Sequence, residues 1–174
     1  VSGAGPIGIM SALVAKHAGA RHVVITDLSD DRLELAGRVG IAHTINVGSQ
    51  GIADALPGLK IREGFDIGFE MSGAQPALAE MIDNMRHGGK VAMLGIPSAP
   101  LTIDFGKVVL QMLTIRGVYG REIFETWYAM SVLLETGLDI SGVITDRFHY
   151  TDYREAFETA RAGRGGKVIV DWSH

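Results

Sequence analysis

The hexapeptide Gly3-Ala4-Gly5-Pro6-Ile7-Gly8 opens the chain, and Asp27 stands nineteen residues beyond its last glycine. No other feature constrains the fold as much. A G-x-G-x-x-G turn between a strand and a helix is built for close approach. Gly3 permits the tight strand-to-helix turn, and Gly5 carries no side chain to hold a pyrophosphate away from the backbone. Gly8 lets the helix pack closely on the sheet. The N–H groups at the helix start, and the positive end of its dipole, then face the phosphates. Many unrelated loops carry the motif in isolation, but here its surroundings agree. A helix-period run extends from Ile7 to His17 and Gly19 ends it. The β-branched stretch Val23-Val24-Ile25-Thr26 follows, ending on the carboxylate of Asp27.

The rest of the chain alternates strands and helices, which predicts a parallel sheet covered on both faces. Helices are expected over 6–18, 30–39, 50–56, 75–86 and 104–112, and strands over 22–27, 43–47, 65–71, 90–94 and 113–118. Ser29 reads as an N-cap, with Asp30 and Asp31 favourable in the first helical turn. The expected fold class is α/β, a Rossmann doubly wound parallel sheet with helices on both faces. After Gly120 the rhythm changes. A helix over 124–135 precedes a strand over 143–150, a helix over 152–162 and a last strand over 167–172. Residues 1–120 are therefore expected to form the dinucleotide-binding domain, and 121–174 a separate C-terminal segment. A unit of this kind begins with a strand of about five residues before the first glycine, whereas only Val1 and Ser2 precede Gly3. The chain is expected to be the back part of a longer polypeptide, its first strand truncated.

Charge and composition narrow the function. A net charge of −4 argues against nucleic acid as a partner, because neutralising phosphates takes a basic face. No apolar run approaches the length of a membrane span and no signal peptide is visible, so cytoplasmic residence is the default expectation. With no cysteine there is neither a disulfide framework nor a thiolate metal site. The six histidines (His17, His22, His43, His87, His149 and His174) are scattered and lack metal-ligand spacing, so no metal site is expected from this chain. His17 and His87 read as helix-end histidines. The stretches Gly88-Gly89-Lys90 and Gly165-Gly166-Lys167 are turns entering strands. Each is followed by valine, where a P-loop needs a hydroxyl for magnesium.

The candidate site follows from the topology. In open α/β sheets ligands bind beyond the carboxyl ends of the strands, near the point where strand order reverses. That places Met71-Ser72-Gly73, Leu94-Gly95-Ile96 and Val118-Tyr119 around the ligand. The Asp27 carboxylate suits the two hydroxyls of an adenosine ribose and repels a 2′-phosphate, which favours NAD over NADP. A plainer reading makes Asp27 a cap at a strand–helix turn. Arg32 reads either as a neighbour of the adenosine or as a solvated helix arginine.

Four stretches carry a resemblance covering essentially the whole chain: GAGPIGIM at the start, FEMSGA from Phe69 to Ala74, MLGIP from Met93 to Pro97, and GVYGREIFETWY from Gly117 to Tyr128. In these the chain resembles the zinc-dependent medium-chain dehydrogenases, and within them the branch that oxidises L-threonine. The GREIFETWY segment points to that branch; the glycine fingerprint marks only the superfamily. The resemblance implies NAD contacts from Ile7, Asp27, Arg32, Leu94, Gly95, Ile96, Val118 and Tyr119, beside the fingerprint glycines Gly3, Gly5 and Gly8. It implies that Arg121 orients the nicotinamide half or the substrate carboxylate. It implies oxidation of the threonine alcohol to 2-amino-3-oxobutanoate, with hydride passing to NAD. It implies a catalytic zinc that acts as Lewis acid, held in an N-terminal catalytic domain absent here. By the family layout, 121–174 rejoins that absent domain. The resemblance also implies a homo-oligomer, often a tetramer, for which the edge over 101–105 is a candidate. The chain alone is expected to be inactive. A related polyol or butanediol dehydrogenase, and a non-catalytic NAD-binding module, are the competing readings.

Overall fold

The computed structural model describes residues 1–163 and 165–173; His174, one of the scattered histidines, lies outside them. The glycine turn leads into α1 (Pro6–His17), with proline in the first turn, where a missing N–H has no consequence. Its inward stripe is Gly8, Ile9, Ala12 and Leu13, the spacing that brings one helical face onto a sheet. Then come β1 (Val24–Asp27), α2 (Asp30–Arg38), β2 (His43–Asn46), α3 (Ile52–Ala55) and β3 (Phe65–Glu70). The series continues through α4 (Gln75–Asp83), β4 (Met85–Met93), α5 (Phe105–Leu110) and β5 (Thr114–Gly117). Ser29 caps α2 by accepting the Arg32 N–H, with Asp30 and Asp31 behind it as expected.

Two strand groups, β2-β1 and β3-β4-β5, are parallel throughout. Ser2 joins them, bridging in parallel to Thr26 on one side and Glu70 on the other. The Ser2 N–H donates to Phe69 O at 2.9 Å, Met71 N–H to Ser2 O at 2.9 Å, and Thr26 N–H to Val1 O at 2.9 Å. The resulting order is β2, β1, Ser2, β3, β4, β5, the doubly wound arrangement. The chain winds outward from Ser2 in one direction and then in the other. Because such crossovers keep one hand, reversing the winding direction puts the two sets of helices on opposite faces. Val1 N also donates to Val24 O at 2.8 Å.

The expected helix over 75–86 is shorter in the structure. Asn84 closes it at Asp83 by donating its side-chain amide to Glu80 O at 2.8 Å. Asn84 O then accepts the Phe65 N–H, which turns the chain into β4 five residues earlier than expected. His87 therefore lies in an extended stretch and is not a helix-end residue. Beyond Gly120 lie α6 (Glu125–Glu135), β6 (Ile144–His149), α7 (Tyr153–Ala162) and β7 (Lys167–Asp171). Strands β6 and β7 form a separate parallel pair. Phe124, just before α6, has φ of 76°, a strained value for a side chain with a Cβ.

One core cluster joins α1, β1 and α2 through Ile9, Ala12, Leu13, Ile25, Leu33 and Leu35, and Val143 from the C-terminal segment is buried in it. A second cluster holds Met81, Met85 and Val91 between α4 and β4. The C-terminal segment is tied to α2 as well, since Arg32 Nε donates to Gly163 O at 2.7 Å, at the left-handed cap of α7. No helix among the described residues is long and apolar enough to cross a membrane.

Candidate functional site

Because all five strands and Ser2 run parallel, the turns that follow them meet on one edge. Gly3, with φ of 92°, turns the chain from Ser2 toward α1. Its neighbour across the edge is Ser72: a Cβ on Gly3 would lie 3.2 Å from Ser72 N. Gly8 is required by the turn itself. A Cβ there would fall 1.8 Å from Gly3 O, so the helix rests directly on the carbonyl of the turn as well as on the sheet. A Cβ on Gly5 would meet nothing within 4 Å and would point into open space.

The backbone donors of this turn divide in two. Ala4 N–H donates to Asp27 Oδ2 at 2.7 Å. Among the described residues the N–H groups of Gly5, Ile7 and Gly8 have no acceptor, and Ile9 is the first to bond back, to Gly5 O. Free donors at the amino end of a helix form a site for an anion. Asp27 Oδ1 accepts from Leu28 N at 2.8 Å and Ser29 N at 3.0 Å. The carboxylate thus fills the plainer capping role and also reaches the glycine turn. Arg32 lies 3.6 Å from Asp27 Oδ2, but its Nε is committed to Gly163 O.

The turns after β3, β4 and β5 complete the edge. Leu94 and Gly95 donate to Glu70 O, each at 2.9 Å, and Val118 donates to Met93 O at 2.9 Å. The side chains of Ile96 and Tyr119 stand out from this edge, 79% and 94% exposed. Gly73, with φ of 69°, packs so closely on the 94–96 turn that a Cβ would reach 2.6 Å from Ile96 O. The Arg121 guanidinium lies 5.4 Å from the centre of the Trp127 ring.

The sequence reading passed over Glu70. This carboxyl is fully buried and accepts from Ser2 Oγ, Ser72 N, Ser72 Oγ and Gly73 N. A signal was available in an acidic residue that ends an otherwise apolar strand just before Ser72-Gly73. A cavity of about 620 Å³ opens elsewhere, lined by Val24, Ile52, Phe65, Ile67 and Asn84 at the amino ends of the strands. None of the residues read as ligand contacts lines it. Among the described residues no three His, Asp or Glu side chains come together as a metal site would need.

Known proteins agree with this architecture. The chain is 62% identical over 173 residues to an L-threonine 3-dehydrogenase of Saccharopolyspora erythraea, which covers 99% of this chain and 50% of that protein. It is 58% identical to the L-threonine 3-dehydrogenase of Streptomyces avermitilis, over 99% of this chain and 51% of that one. The chain spans about half the length of the curated relatives it matches. Among solved structures, 2R,3R-butanediol dehydrogenase from Bacillus subtilis superposes with a TM-score of 0.86 at 22% identity, over 98% of this chain and 49% of that one. L-idonate 5-dehydrogenase from Escherichia coli does so with a TM-score of 0.83 at 25% identity, over 98% and 49%. The profile of zinc-binding dehydrogenases matches residues 6–136, and the chain belongs to that family.

Proposed function

We propose that this chain is the NAD-binding part of an L-threonine 3-dehydrogenase. One observation carries the reading: an acceptor and an anion site lie side by side at the point where strand order reverses. Asp27 ends β1 beside a turn whose Gly5, Ile7 and Gly8 N–H groups lack acceptors. Those three donors suit the pyrophosphate, and the open space at Gly5 admits it. Asp27 takes the adenosine ribose hydroxyls and disfavours a 2′-phosphate. The turns at Leu94-Gly95-Ile96 and Val118-Tyr119, with Ile7, border the rest of the dinucleotide. Arg32 reaches the adenosine side by way of its contact with Asp27, and Arg121 serves the nicotinamide half or the substrate carboxylate.

The dinucleotide held by these residues would supply the acceptor for the hydride on the alcohol carbon, with the hydroxyl proton released to solvent as the ketone forms. The product of threonine oxidation is 2-amino-3-oxobutanoate. This chain's residues bind and orient the dinucleotide. The zinc implied by the family is assigned to protein outside this chain; among the described residues no three His, Asp or Glu side chains group as its ligands. Residues 1–120 form the cofactor domain. Residues 121–174 carry the exposed aromatic side chains Tyr153, Phe157 and Trp172 toward the remainder of the enzyme. The intact enzyme is a cytoplasmic homo-oligomer acting on a small molecule, with the edge over 101–105, where Phe105 is exposed, as its contact.

A chimera tests the enzyme reading. The amino-terminal half of the Saccharopolyspora erythraea relative, joined to this chain, is expected to form NADH from L-threonine and far less from 2,3-butanediol. A preference for butanediol or a polyol would contradict the threonine reading.

A further inference from the structure

The Glu70 carboxyl is 0% exposed, and among the described residues no lysine or arginine pairs with it. Only hydrogen-bond donors satisfy it. Ser2 Oγ reaches Oε1 at 3.1 Å and Ser72 N–H reaches it at 2.9 Å; the Ser72 hydroxyl donates to the same oxygen. Gly73 N–H is shared between Oε1 at 3.1 Å and Oε2 at 3.0 Å. Burying such a group is costly, and well-packed apolar replacements of buried ionisable groups are often neutral or stabilising. Stability alone therefore does not account for a carboxyl here.

Its position does. The side chain holds the 72–73 turn and the backbone carbonyl holds the 94–95 turn, while Ser2 connects both to the Gly3 turn. Oε2 also lies where a Cβ on Gly95 would come within 2.4 Å, so these two turns are packed through it. The inward bonds commit the N–H groups of Ser72 and Gly73, whereas those of Gly5, Ile7 and Gly8 have no acceptor among the described residues. The Ser72 hydroxyl, donating to Glu70 and accepting from Ala74 N at 3.1 Å, is likewise fixed.

We infer that Glu70 is a positioning residue for the half of the dinucleotide that lies away from Asp27, acting through the turns at Ser72-Gly73 and Leu94-Ile96. This rests on the cofactor reading above. Glu70→Gln keeps one acceptor oxygen but turns an amide toward donors, and Ser72→Ala removes one anchor while leaving the carboxyl. Calorimetric titrations of the whole chain with NAD and with AMP distinguish the two halves of the site. Glu70→Gln is expected to weaken NAD at least tenfold and leave AMP within twofold, with the far-ultraviolet dichroism unchanged. Ser72→Ala is expected to weaken NAD severalfold, again sparing AMP, and it decides the matter if Glu70→Gln does not fold. Unchanged NAD binding in the variants, or equal loss of NAD and AMP, would overturn the inference while leaving the cofactor reading standing. Wild-type chain that binds neither ligand would overturn both.

Discussion

Asp27 Oδ2 accepts the Ala4 N–H at 2.7 Å, so the carboxylate that ends β1 also holds the glycine turn. Recognition of the ribose and the shape of the turn are therefore not independent. Asp27→Ala is expected to raise the NAD dissociation constant at least tenfold. It should also cost about 1–3 kcal/mol of stability by leaving the Ala4 donor unsatisfied. Faster amide exchange at Ala4, followed by NMR, would report the loosened turn. A variant with native exchange at Ala4 and weak NAD binding would separate the two roles.

Gly5 and Gly8 are predicted to fail in different ways. The Gly5→Ala methyl enters open space at a helix N-cap, where the change costs a few tenths of a kcal/mol to about 1 kcal/mol. Its melting temperature should stay near wild type while NAD binding is lost. In Gly8→Ala the methyl would collide with Gly3 O. That variant should lose several kcal/mol, at the level of overpacking or worse, and unfold at much lower urea. Equal melting temperatures in the pair would contradict this account of the turn.

Arg32 links the adenosine side of the site to the carboxyl-terminal end of α7. A charged donor on a helix-terminal carbonyl is worth about 1–2 kcal/mol at most when partly exposed. Arg32→Ala is expected to speed limited proteolysis in 153–171 while sparing α4 and β4. Protection of that segment equal to wild type would show that Val143 and its neighbours hold it without Arg32.

Much of this was legible in the chain. The glycine fingerprint, the β-branched run ending on Asp27, the Ser29 cap and the βα alternation together led to a doubly wound parallel sheet, which is the fold observed. These signals are local, written in spacing and side-chain type. What escaped the reading depends on distant segments meeting. Glu70 matters because Ser2, Ser72 and Gly95 converge on it, and one strand's sequence does not state what its far end touches. Helix α4 ended early because Asn84 bonded back to Glu80 O and its carbonyl found Phe65. The Arg32 bond to Gly163 joins residues far apart in sequence, so an arginine that reads as solvated or ribose-facing is instead partly committed to the C-terminal segment.

The central claim is that Asp27 and the free donors of the glycine turn form a site for NAD. Calorimetric titration of the chain with NAD, with NADP as the comparison, tests it most directly. The account predicts saturable NAD binding and at least tenfold weaker binding of NADP. Equal affinity for the two, or no binding of either by the folded chain, would contradict it.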